Sequence, residues 1–206
     1  MNKKRCTRKE FSSNFKSAFL ILILLTLMLS FAHSAQCATR EVGPGKTYST
    51  IQSAIIAAGT GDTVLVYDDT YIERIDFLGK AITVRSVNGA ASTIIDATGL
   101  SVGGSVVSFV TGEGAGSVLD GFTITGGSGS HIPDEPVGGG IVCDHSSPTI
   151  TNCIISGNKA VAGGGISCHL SNPLINNCII SGNKADSYGG GIGCDVCSPL
   201  ITNCTI

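Results

Sequence analysis

Apolar residues in this chain come in short runs broken by Gly, Asn, Ser and Pro. The pattern is most regular where GGGIVCDHSSPTITNCIISGNKA, GGGISCHLSNPLINNCIISGNKA and GGGIGCDVCSPLITNCTI begin at Gly138, Gly163 and Gly189, a period of 25 and then 26 residues. In the first copy the runs are Ile141-Val142-Cys143, Thr149-Ile150-Thr151 and Cys153-Ile154-Ile155. None reaches the roughly 10 residues of an ordinary helix, and β-branched residues dominate, so the pattern predicts short strands joined by turns. A short fixed period marks units that bury their apolar faces only by stacking on one another.

Aligning the copies sets Ile141, Ile166 and Ile192 in one file, with parallel files of Cys143/Cys168/Cys194, Ile150/Ile175/Ile201, Asn152/Asn177/Asn203 and Cys153/Cys178/Cys204. Alternation along a strand puts Ile141 and Cys143 on one face. Ile150 and Cys153 are three apart and share a face only if the chain bends between them. Asn152 tolerates the left-handed backbone of such a bend, and stacked Asn side chains would hydrogen-bond along the file. Each period is then one rung, with rungs about 4.8 Å apart and files of Ile and Cys inside.

These files resemble the right-handed parallel β-helix family with its pectin lyase-like fold. The GGGI openings and the runs Ile155 to Asn158 and Ile180 to Asn183 are also similar to the repeats of polymorphic outer-membrane proteins. Those repeats carry Gly-Gly-Ala-Ile and Phe-x-x-Asn, so Gly140 and Ile155 depart from the family pattern. The resemblance covers residues 138–206 and, more loosely, 47–127. It implies an all-β chain, a right-handed parallel β-helix or solenoid.

Upstream, Tyr48 to Gly59 reads as a helix. Ser49 and Gln52 would form a capping box, Ile51, Ala54, Ile55 and Ala58 one apolar face, and Gly59 the stop. Such an N-terminal helix would cap the open end of the solenoid. Strands are expected over 63–67, 71–77, 81–86, 93–96, 106–110 and 118–125, and a loop insertion over 127–137. One domain, 38–206, would hold six or seven rungs at about 25 residues each. The repeats within it are 138–162, 163–188 and an incomplete 189–206. Because the sequence stops at Ile206 in mid-repeat without a capping element, it is expected to be a fragment of a longer product.

Residues 1–37 read as a signal peptide, with a basic start, an apolar run from Ala18 to Ala32 and small residues at Ser34, Ala35 and Ala38. Cleavage is expected within 34–38, and the apolar run is shorter than the ~20 residues of a membrane span. Six of the 13 basic residues and one of the 15 acidic ones lie in this segment, leaving a net charge near −7. That charge argues against nucleic acid or anionic lipid as a partner, and an acidic polysaccharide would need a local basic patch.

Candidate chemistry is sparse. Asp144, His169 and Asp195 form an outward file beside the cysteines, where carboxylate, imidazole and carboxylate at rung spacing would serve proton transfer or metal binding. The alternative is a solvated polar file. The seven repeat cysteines are expected to be buried free thiols, because stacked Cβ vectors run parallel rather than toward each other. Cys194 and Cys197 form a CxxC without the helix start or second pair of a redox or zinc site. Lys159 and Lys184 are expected in exposed turns. Gly43 to Thr47 lacks the first glycine of a phosphate loop and reads as a turn. The triple glycines read as tight corners. Asn203 opens a glycosylation sequon but is expected to face inward. Asp96 and Asp120 each end an apolar run, and no motif pairs them.

The residues therefore favour a secreted or cell-surface repeat protein with a structural, adhesive or glycan-binding role. Polysaccharide or a cell-surface protein would be its partner. The alternative implied by the resemblance is a polysaccharide lyase or glycoside hydrolase of the pectin lyase-like superfamily. No cofactor or metal is expected, with calcium entering only under the lyase alternative.

Overall fold

Alternation of side chains along each short run decides what goes inside, and the chain repeats the choice turn after turn. The structure, a computed structural model, describes residues 37–129 and 138–206. Among the described residues, strands Thr39–Val42, Thr63–Val66, Thr83–Ser86, Val118–Asp120, Thr149–Thr151, Leu174–Asn176 and Leu200–Thr202 form one sheet in chain order. A second sheet holds Asp69–Ile72, Thr93–Asp96, Thr123–Thr125, Ile154–Ser156 and Ile179–Ser181. A third holds Ile75–Asp76, Val107–Phe109, Ile141–Asp144, Ile166–His169 and Ile192–Asp195. Pairing within these sheets is parallel throughout, and the chain visits the three in turn before returning one rung on. This is the expected parallel β-helix.

The predicted files are present in register. Ile141 pairs with Ile166 and Ile166 with Ile192, and Cys143, Cys168 and Cys194 follow in the same ladders. In the first sheet Val64, Val84, Leu119, Ile150 and Ile175 make one fully buried file. The cysteine files continue phenylalanine files from the earlier coils. Phe109 pairs above Cys143, and Phe122 precedes a strand in register with the one that follows Cys153. Phe77 and Phe109 stack with ring centroids 4.3 Å apart. The thiols are therefore hydrophobic filler in a column that elsewhere takes aromatic rings. Among the described residues the cysteines are free, with Cys143, Cys153, Cys168 and Cys178 buried; Cys194 is exposed and Cys197 and Cys204 are half-buried, so the burial expected of all seven holds for four.

The bend between Ile150 and Cys153 is as expected, with Asn152, Asn177 and Asn203 left-handed at φ 55°, 51° and 55°. Their side chains, however, are exposed, so the inward placement expected for Asn203 is wrong. The bend turns the Asn outward so that both flanking apolar residues turn in. The amides turned toward the backbone are instead the buried Asn158, on which Gly127 N–H donates to Oδ1 at 2.9 Å, and the half-buried Asn183, whose Nδ2 donates to Ile155 O at 2.8 Å. Asn158 Nδ2 donates to Asn183 Oδ1 at 3.1 Å, so the ladder joins two rungs.

Other expectations shift locally. The run 71–77 divides into two strands that belong to different sheets, and 118–125 divides at Gly121, where φ is 82°. Thr39–Val42 adds a strand not foreseen. Lys159 and Lys184 lie not in turns but in strands Lys159–Ala162 and Lys184–Tyr188, which with Ser128–Gly129 form a fourth small sheet. Residues 128–129 of the expected insertion are thus a strand. Residues 130–137 of that insertion and residues 1–36 of the expected signal segment lie outside the described residues.

The helix is Ile51–Ala57, shorter than expected. Thr50, not Ser49, caps it, accepting from Ser53 N–H, and Ala58 rather than Gly59 ends it. The capping box does not form because Gln52 reaches to the backbone of Asp76 instead, accepting from its N–H at 2.7 Å. Glu73 takes the first-turn N–H groups of Ile51 and Gln52 at 2.8 and 2.9 Å. Burial pushes the Glu73 carboxyl up, and those two bonds oppose the shift. Lys80 Nζ donates to the carbonyls of Ile55, Ile56 and Ala58 at the other end. Ile51, Ala54 and Ile55 face the first coils.

Candidate functional site

The outward file of the third sheet converges where the strand Ile141–Asp144 ends. Asp144 pairs with His169, and His169 with Asp195, in successive rungs. Asp144 and His169 are half-buried and Asp195 is exposed. Asp144 Oδ1 accepts from His169 Nδ1 at 2.7 Å. On the other side of the ring, His169 Nε2 lies 3.7 Å from Asp195 Oδ2. The three residues singled out by sequence are thus brought together, with the imidazole between two carboxylates.

A fourth member escaped the sequence reading. His145 follows Asp144 with φ 47°, and that left-handed turn folds its ring back so that Nδ1 donates to the same Asp144 oxygen at 3.0 Å. The two rings meet edge to face with centroids 5.6 Å apart. Leu170 and Val196 occupy the same turn in the next coils, with φ 46° and 51°. The turn is a property of the coil, and only the first copy puts a histidine on it. The adjacency of Asp144 and His145 was the available signal.

The other candidates do not join this cluster. Asp96 lies in the second sheet, where Oδ1 accepts from Thr98 N–H at 2.7 Å. Asp120 lies in the first sheet, 3.9 Å from Arg85 Nε and bonded by Asn152 Nδ2 at 2.6 Å. Glu113, missed by sequence, is buried and structural. It accepts from Gly79 N–H, Thr111 N–H and Ser146 Oγ. Cys197 replaces the buried Ser146 and Ser171 as filler against the core. Gly43 to Lys46 is a turn closed by Lys46 N–H on Gly43 O at 3.0 Å.

A second feature is a groove of about 360 Å³ along the corner between the first and second sheets. Asn152, Asn177 and Asn203 line it at rung spacing, with Ile154 and Ile179 beside them. Asn177 Nδ2 donates to Asn152 Oδ1 at 2.8 Å, while Asn203 Nδ2 donates to Asn176 Oδ1 at 3.1 Å. Asn152 and Asn177 thus share one bond along the file while Asn203 bonds outside it, and each amide has further donor or acceptor capacity left over.

No protein-family model matches the chain, and no curated protein matches it. Solved structures do. A pectin methylesterase from Aspergillus niger, in deglycosylated and penultimately deglycosylated forms, superposes with TM-score 0.54 at 18% identity. The match covers 83% of this chain and 57% of that one, so the chain spans little more than half the length of the Aspergillus protein. The pectin methylesterase PemA from Erwinia chrysanthemi superposes with TM-score 0.48 at 17% identity, over 84% of this chain and 66% of that one. At this identity the likeness to the Aspergillus protein is one of fold, and it agrees with the parallel ladders: the chain is a right-handed parallel β-helix of the pectin lyase-like fold.

Proposed function

We propose that this chain is a secreted or cell-surface protein that holds glycan in the groove between its first and second sheets, without turning it over. The observation that carries this reading is the file of outward Asn amides that share one groove with the aliphatic side chains of Ile154 and Ile179. Sugar rings present hydroxyls at their edges and C–H groups on their faces, so a groove that offers amides next to aliphatic side chains matches both. The net charge near −7 of the chain after residue 37 favours uncharged or esterified polymers over acidic ones. The pectin methylesterase likeness makes pectin a natural probe.

The test is retention of the purified protein on methyl-esterified pectin, polygalacturonate and an uncharged β-glucan. Assays for methanol release and for calcium-dependent chain cleavage run alongside. Retention is expected on the esterified or uncharged polymer, and Asn152→Gly/Asn177→Gly should abolish it, because glycine keeps the left-handed bends while removing the amides. Clear turnover would transfer the protein to the enzyme class, and failure to bind any of the three polymers would refute the glycan reading.

A further inference from the structure

We propose that Asp144, His145 and His169 bind a divalent transition-metal ion of the zinc, nickel or copper class on the outer face of the third sheet, with Asp195 orienting His169. The site lies apart from the groove and does not depend on the glycan reading.

The donor atoms are already gathered. One carboxylate oxygen and one nitrogen from each imidazole lie within 4.8 Å of one another. Both imidazoles present Nδ1 to the same oxygen, at 3.0 and 2.7 Å. In a tetrahedral site with metal–ligand bonds of about 2.0–2.1 Å, neighbouring donors stand about 3.4 Å apart, so a cation between them needs the triad to open by roughly half an ångström. His145 is exposed and its ring is free to make that adjustment, and water completes the coordination from the solvent side.

The donor chemistry selects the ion. Two imidazoles and a carboxylate suit borderline transition metals, whereas calcium and magnesium take sets made of oxygen. Asp195 lies beside the ring nitrogen of His169 that faces away from Asp144, 3.7 Å from Nε2, and closes to hydrogen-bond length when the metal takes Nδ1. A carboxylate on the far nitrogen of a ligating histidine fixes its tautomer and raises its basicity. The frame is rigid where it counts. Asp144 and His169 are paired in a parallel ladder, and His145 N–H donates to His169 O at 3.1 Å.

The test is calorimetric titration of the metal-freed protein with zinc, and the absorption spectrum of its cobalt form. One ion is expected per chain, with a cobalt spectrum that lacks the thiolate charge-transfer band. His145→Leu restores the residue type found at this turn in the next coil and should keep the fold. It should weaken binding more than Asp195→Asn does, the latter by about tenfold or more. Cys194→Ser/Cys197→Ser should leave binding unchanged. The proposal is overturned if no zinc binds, if His145→Leu binds as the parent does, or if the cysteine variant is the one that loses the metal. In the last case the thiols hold it, and in the first the cluster is a hydrogen-bonded network only.

Discussion

At Gly165 an added Cβ would stand 2.5 Å from the carbonyl oxygen of Gly191, 2.9 Å from Asn183 Nδ2 and 3.0 Å from Ile180 Cγ2. Gly140 stands in the same file, its Cβ position 2.6 Å from Gly165 O. Backbone packs on backbone here, one rung on the next. The triple glycines are therefore both corners, with Gly163 and Gly189 at φ 63° and 70°, and, at Gly140 and Gly165, points of closest approach between coils. Gly165→Ala is expected to destabilise the protein by about 1–3 kcal/mol, because the carbonyl it meets belongs to the ladder and cannot swing away. A chemical-denaturation midpoint unchanged from the parent would show that the rungs yield. Asn152 and Asn158 illustrate the same scale from the polar side. They are six residues apart in one coil, yet one is spent on the surface and the other on buried backbone groups. Side-chain type alone does not separate them; the left-handed φ of Asn152 does.

At the scale of elements, the N-terminal end is closed by a helix held at both tips and by one charged pair. Arg40 sits in the file that continues as Val64 and Val84, at the rim where its guanidinium reaches Asp62 Oδ2 at 2.9 Å. Asp62 also accepts from Gly59 N–H at 2.9 Å and Ala38 N–H at 2.8 Å. These backbone donors first, and Arg40 with them, hold its carboxyl below the usual carboxylate range. A depressed folded value means stability that is present above the unfolded value of about 3.9 and lost as pH falls through the folded one. Denaturation midpoints of the parent and Asp62→Asn should therefore differ most above about pH 4 and converge in stronger acid. A difference that grows on acidification would refute the assignment. The helix itself was legible in its apolar spacing, and its face is the expected one. Its caps were not, since Gln52, Glu73 and Lys80 find their partners more than twenty residues away.

At the scale of the whole molecule, the β-helix is one continuous stack whose filler changes from Phe to Cys along its length. The hydrogen bond to Cys168 and burial keep the Cys143 thiol protonated, well above its ordinary range, and burial does the same for Cys153. A protonated, enclosed thiol is a poor nucleophile. The hydrogen bonds from Cys143 and Cys153 shift the Cys168 and Cys178 thiols down instead, so for those two enclosure alone is the protection. Cys143, Cys153, Cys168 and Cys178, all buried, are expected to resist a disulfide reagent in the native protein and to react together as the circular-dichroism signal of the coils is lost. Reaction of any of the four well before that transition would mean that the coils open separately.

The period of the repeats, the inward files and the bend at Asn152 were all readable before any coordinates, because a solenoid makes neighbours of residues one period apart. The outward file Asp144, His169 and Asp195 was readable for the same reason. The coils before residue 138 carry no fixed period, and their strand divisions at 73–74 and 121 followed only from the sheets they join. Distance and direction across the surface belong to the folded chain. Placing His145 against Asp144, turning the Asn ladder outward beside Ile154 and separating Asp96 from Asp120 each required the backbone to be bent at particular residues. Sequence periodicity determines which residues stack; the turn angles between sheets determine which of those stacks meet.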